Sequence, residues 1–220
     1  MKPVEDELRE VKVKILKMGS LVEEAIGRAI RSLVERNNRF AEEVIEGDRV
    51  INTYDVEIDE ECIRVLALRQ PVGGDLRFIT TAMKITTDLE RIGDFAENIS
   101  KLALELNKEP QLKPYIDIPL MAKIVQGMVV DVLEAFTKPD TAMAYDVIQR
   151  DEQMDNLAVQ IFNELLFFMI KDPSTVSRAV KVSYVAKHLE RMADHATNIA
   201  EMVIYMVEGR FIRHLHPSKE

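Results

Sequence analysis

Leu89-Glu90-Arg91-Ile92-Gly93-Asp94-Phe95-Ala96-Glu97-Asn98-Ile99 recurs 100 positions later as Leu189-Glu190-Arg191-Met192-Ala193-Asp194-His195-Ala196-Thr197-Asn198-Ile199. Leu, Glu, Arg, Asp, Ala, Asn and Ile keep their places while the residues between them change, which marks a tandem duplication. Around each copy runs an apolar stripe with alternating spacings of four and three. The first is Ile85, Leu89, Ile92, Ala96, Ile99, Ala103 and Leu106; the second is Val185, Leu189, Met192, Ala196, Ile199, Val203 and Met206. That spacing is one face of a helix turning about 100° per residue. Glu90 and Asp94, like Glu190 and Asp194, point away from the stripe, and their separation of four puts each pair on one helix face.

Breakers divide the rest of the chain. Asn37-Asn38, Pro71-Val72-Gly73-Gly74, a three-proline segment at 109–119, Lys138-Pro139-Asp140 and Asp172-Pro173-Ser174 separate periodic stretches. Helices are therefore expected at roughly 5–36, 39–69, 74–107, 118–137, 140–171 and 174–209. The predicted fold is all-α, with two tandem, sequence-related three-helix bundles of six long antiparallel helices. The bundles are expected at 1–109 and 119–212, joined by a linker at 110–118 and followed by a tail at 213–220 that contains His214 and His216.

Composition bounds the function. The chain is 47% hydrophobic with no Trp, 8 Gly and 8 Pro, so a helical protein has ample core material. Cys62 is the only cysteine, which excludes an intramolecular disulfide and fits a reducing compartment. No apolar run has signal or transmembrane length, so a cytoplasmic protein without a membrane span is expected. A net charge of -9 argues against nucleic acid as the main partner and suits cations or basic protein surfaces. Outward helix faces keep apolar residues, so a homodimer is expected to be accessible.

The second helix of each unit repeats as well. Ala41 to Asp48 aligns with Ala144 to Asp151 at an offset of 103, which sets Asp48 and Asn52 against Asp151 and Asp155. In the first unit Asp55 and Asp59 extend the same stripe beside Val44, Ile51, Ile58 and Cys62. A single Glu-x-x-x-Asp is ordinarily a solvated face. Here, however, both acids survive duplication while Phe95 becomes His195 and Glu97 becomes Thr197. Carboxylates beside a core edge need protons, basic partners or a metal ion. Arg49, Arg91, Arg150 and Arg191 could supply a salt-bridge network instead. The candidate metal ligands are Glu90, Asp94, Glu190, Asp194, Asp48, Asn52, Asp151 and Asp155, an oxygen-rich set suited to hard or borderline cations. Asn52 makes the first site less anionic than the second. His195 is read as a surface or interface residue.

Glu46-Gly47-Asp48, Ala67-Leu68-Arg69-Gln70-Pro71, Asp75-Leu76-Arg77, Leu89-Glu90-Arg91-Ile92-Gly93-Asp94 and His188-Leu189-Glu190-Arg191-Met192-Ala193-Asp194 together resemble the PhoU family along essentially the whole chain. The resemblance implies a cytoplasmic, non-enzymatic negative regulator between a phosphate ABC transporter, including its ATPase subunit, and a phosphate-sensing histidine kinase. It also implies surface clusters of multinuclear iron, or of zinc or another divalent cation, on Glu/Asp-x-x-x-Asp motifs. Asp48 with Asn52 departs from that motif at its last position. Two other classes compete: a carboxylate-bridged di-iron oxidase and a metal-free helical adaptor. The oxidase needs Glu-x-x-His on two helices, and the sequence has none. No glycine-rich phosphate loop or nucleophile–base arrangement appears either.

Overall fold

The computed structural model describes residues 4–212, so His214, His216 and the rest of the expected tail lie outside the described residues. Six helices follow one another: α1 (Val4–Val34), α2 (Asn38–Arg69), α3 (Gly73–Leu106), α4 (Asp117–Thr137), α5 (Thr141–Lys171) and α6 (Val176–Glu208). The first three pack as one bundle and the last three as a second. Among the described residues there is no strand, and no helix is long and apolar enough to cross a membrane.

Local chemistry explains the ends. Arg36 takes φ 53, which breaks α1 before position 36, and the Asn37 side chain accepts the Arg39 N–H to start α2. Asp140 caps α5 through the Met143 N–H. The sixth helix starts later than expected. Asp172 accepts the Ser174 N–H, and Pro173–Thr175 form a 3₁₀ turn before Val176. Gly209, at φ 71, closes α6 in the left-handed conformation that glycine adopts without strain.

Both predicted stripes are buried. Every member from Ile85 to Leu106 and from Val185 to Met206 belongs to the core, and each fully buried Leu or Ile contributes about 1.5–3 kcal/mol. One feature lies beyond the sequence reading. The bundles share a single continuous core, because α3 packs on α6 and α1 packs on α4.

The α3/α6 seam is antiparallel. Arg77 Nε donates to the Met206 carbonyl (3.1 Å) and Thr81 Oγ1 to the Met202 carbonyl (3.5 Å). Farther along, Asp88 Oδ1 lies 2.7 Å from His195 Nδ1, and the Phe95 and His188 rings stack at 5.5 Å. Each step forward on α3 is thus matched by an equal step back on α6. Since 88 corresponds to 188 and 95 to 195, the last two pairs are two copies of one contact. A pseudo-two-fold axis therefore runs through the seam, as in an isologous dimer interface.

The α1/α4 seam obeys the same geometry, with Lys12 Nζ donating to the Thr137 carbonyl and Gln126 Nε2 to the Glu23 carbonyl. Gly19 leaves the space that the Leu133 side chain fills. The connection between bundles is fastened down. Arg36 donates to the Asn107 and Glu109 carbonyls, Arg178 donates to that of Pro110, and Leu112 and Tyr115 pack against the core.

Candidate metal centres on two carboxylate faces

The first face lies between α2 and α3. Gly93 allows the close approach, since a Cβ there would come within 3.2 Å of Ile51 Cδ1 and 3.6 Å of Asp48 Oδ1. Asp48 is consequently buried, at 9% exposure. Its Oδ2 accepts from Asn52 Nδ2 at 2.9 Å, whereas its Oδ1 is buried without a hydrogen-bond partner. Asp59 Oδ1 is in the same condition. A buried carboxylate oxygen left unpaired is costly.

Electrostatics shows which acids meet. Burial first, then Glu97 and Asp94, push the Asp48 carboxyl above its ordinary value, against the opposing effects of Asn52 and Lys101. Glu90 is raised by burial, Asp94, Asp55 and Asp48, with Arg91 opposing. Asp55 is raised by burial and Asp59, and Asp59 by burial. The α2 and α3 acids therefore gather on one face. Arg91 supplies part of the salt-bridge alternative, lying 3.1 Å from Asp94 and 3.5 Å from Glu90. It does not reach the orphaned Asp48 oxygen. Arg150, by contrast, pairs with Asp131 and Asp146.

The second face lies between α5 and α6. Asp194 is raised by partial burial, Glu190 and Asp155, with Lys187 and Arg191 opposing. Lys187 Nζ donates to Glu190 at 2.7 Å. Asp151 is partly buried one turn before Asp155 on α5. His195 turns away from this face and into the seam, toward Asp88. It is an interface residue.

The sequence reading did not include Glu97 among the ligands, although it acts on Asp48. Its spacing from Asp94 on α3 signals a shared face, but its counterpart is Thr197, and an argument from duplication discards it. Asp55 and Asp59 sat on the predicted stripe and belong with the first face.

Among the described residues no three His, Cys, Asp or Glu side chains converge into a closed metal cage. Several carboxyls instead turn to neighbours: Asp48 to Asn52, Asp94 to Arg91 and Glu190 to Lys187. The donors nonetheless fit a cation. They are nearly all carboxylate oxygens, their charges oppose one another, and Asp48 Oδ1 is a buried acceptor without a hydrogen-bond partner.

Fold and faces together define a class: a tandem pair of three-helix bundles with a carboxylate platform on the outer α2/α3 and α5/α6 surfaces. The PhoU domain model matches residues 15–103 and 118–203. The phosphate-specific transport system accessory protein PhoU homolog of Aquifex aeolicus is 47% identical over 210 residues, covering 96% of this chain and 95% of that protein. The homolog of the same description from Pseudomonas putida is 40% identical, covering 95% and 82%. The crystal structure of PhoU from Pseudomonas aeruginosa superposes with a TM-score of 0.91 at 38% identity, covering 94% of this chain and 100% of that one. The phosphate transport system regulatory protein PhoU from Streptococcus pneumoniae gives 0.89 at 33% identity, covering 96% and 99%. The chain belongs to the PhoU family.

Proposed function

We propose that this protein is a cytoplasmic, non-enzymatic negative regulator of phosphate uptake and phosphate-responsive signalling. Its partners would be the ATPase subunit of a phosphate ABC transporter and a phosphate-sensing histidine kinase. The relatives' description as accessory proteins of phosphate-specific transport supports the transport half of this reading. Each carboxylate face would carry a metal cluster, with multinuclear iron first and zinc or another divalent cation second. Glu90, Asp94, Asp48 and Asn52 would hold one, and Glu190, Asp194, Asp151 and Asp155 the other. Bound there, a cation would neutralise acids that now raise one another's affinity for protons and would draw α2 to α3, or α5 to α6.

The observation that carries the metal reading is Asp48, a buried carboxylate with one oxygen unpaired in a field of other acids. The oxidase alternative lacks its Glu-x-x-His ligands in this chain. Metal analysis of protein purified without a metal-affinity tag tests the reading, with Glu90→Ala/Asp94→Ala and Glu190→Ala/Asp194→Ala beside the wild type. Each pair of substitutions should remove the metal of its own face. Unchanged metal content in both variants would reject these ligands.

A further inference from the structure

Outside the carboxylates, the two outer faces have diverged in an instructive way. On the second face, α5 and α6 enclose a groove of about 680 Å³ whose walls are Val159, Phe162, Val180 and Tyr184 and whose one end is Asp155 and Glu190. Phe162 is 51% exposed, Tyr184 55% and Val159 60%. Leu166 and Ile170 continue the apolar line along α5 at exposed positions. From Val159 to Ile170 this ladder runs about three helical turns, on the order of 16 Å.

The fold does not require the aromatic walls. At the corresponding places on the first face Val56 and Ile63 match Val159 and Leu166 and are likewise exposed, but Asp59 stands for Phe162, Thr80 for Val180 and Lys84 for Tyr184. The same helix pair thus packs with charged and polar groups at these three positions. An exposed apolar groove beside an acidic end, with aromatic walls that only one of two equivalent positions carries, marks an interaction site.

We propose that the α5/α6 groove docks an amphipathic helix of a partner protein that carries Lys or Arg at one end of its apolar face. A helix laid in a groove presents apolar anchors at i, i+3/i+4 and i+7, and a ladder of about 16 Å is long enough to receive about three turns of one. In the metal-free protein, charge complementarity selects the basic end. Asp151, Asp155, Glu190 and Asp194 outnumber Lys187 and Arg191 around that end of the groove. An acidic helix would meet like charge there, which costs affinity and slows encounter. Phe162 and Tyr184 supply the aromatic anchors that dominate such interfaces.

The test uses the full chain with chelator present, so the result does not depend on metal binding at the carboxylates. Two fluorescent 18-residue amidated peptides serve as probes. Both place Leu at helical i, i+3, i+4 and i+7 spacing; one carries Lys at the flanks and the other Glu. The protein variant is Phe162→Asp/Tyr184→Lys, which installs the residues its own first face tolerates and should leave helicity and melting unchanged. The cationic peptide should bind the wild type saturably, and the variant at least ten-fold more weakly, by fluorescence anisotropy at physiological salt. The Glu peptide should bind the wild type at least ten-fold more weakly than the Lys peptide. Absence of saturable binding, equal binding to the variant, or equal binding of the two peptides would each overturn the proposal. So would a dimer seen by sedimentation and abolished by the double substitution, because a second copy would then be the occupant.

Discussion

Asp48→Asn should stabilise the metal-free protein at neutral pH and weaken its stabilisation by metal. The substitution keeps the side-chain shape and the position near Asn52 but removes a charge from a buried site where one oxygen has no partner. An unsatisfied buried acceptor costs about 1–3 kcal/mol, and more when charged; the Asn amide still leaves one group there without a partner, so the substitution recovers only the part due to charge. The face opens toward solvent beside Asp94, so the low end, about 1 kcal/mol, applies. For a chain of this length that corresponds to about 2–4 °C in Tm. Burial, Glu97 and Asp94 hold the folded Asp48 pKa above its unfolded value. The folded state therefore prefers the protonated acid, and the cost is fully present only above the folded pKa. It fades as pH falls through the carboxylate range. The gap between variant and wild type should accordingly close between pH 7 and about pH 4 in thermal melts with chelator. Saturating metal reverses the order. A site filled at 100 times its Kd adds about 2.7 kcal/mol to the wild type, and the variant, lacking a ligand, gains less. A variant less stable than wild type at pH 7 in chelator, or a gap indifferent to pH, would refute this account of Asp48.

Two further outcomes concern the frame. Gly19→Val should destabilise by about 1–3 kcal/mol in urea titrations, because the new side chain occupies the space of Leu133 across the α1/α4 seam; adding Leu133→Ala should cost less than the two single losses combined, and strict additivity would argue that the seam is loose there. Glu7 is held at about 2 by hydrogen bonds and charge from Arg69 and Arg64. Its contribution is present above the ordinary carboxylate value of 4.5 and lost as pH falls toward 2, so Glu7→Gln should flatten the acid limb of the stability curve across that window, and an unaltered limb would contradict the role assigned to the pair.

The six helices were legible because each carries a continuous 3.6-residue stripe bounded by Asn37, Pro71, Pro110, Asp140 or Pro173. The paired acids were legible because duplication gives two independent readings of each position. The seams were not. Contacts such as Thr81 with Met202, or Gly19 with Leu133, join residues more than 100 positions apart and leave no periodic trace. Buried seam residues also sit on helices whose stripes already account for a bundle core. Asp48 shows a different gap. Its spacing placed it at a core edge, but only the close approach at Gly93 decides that one oxygen is sealed and the other reaches Asn52. The groove at Phe162 was missed because an argument built on what the two units share passes over what they do not.

The α3/α6 seam governs how the halves can associate. If the first half met a copy of itself through this surface, position 88 would face position 95, setting the Asp88 carboxylate against the Phe95 ring at both ends. Two copies of the second half would set His188 against His195 twice. Only the mixed pairing gives Asp88 a histidine and gives Phe95 a flat ring to stack on. Covalent duplication has thus let one self-complementary surface become a lock and a key, each fitting its sibling better than its twin.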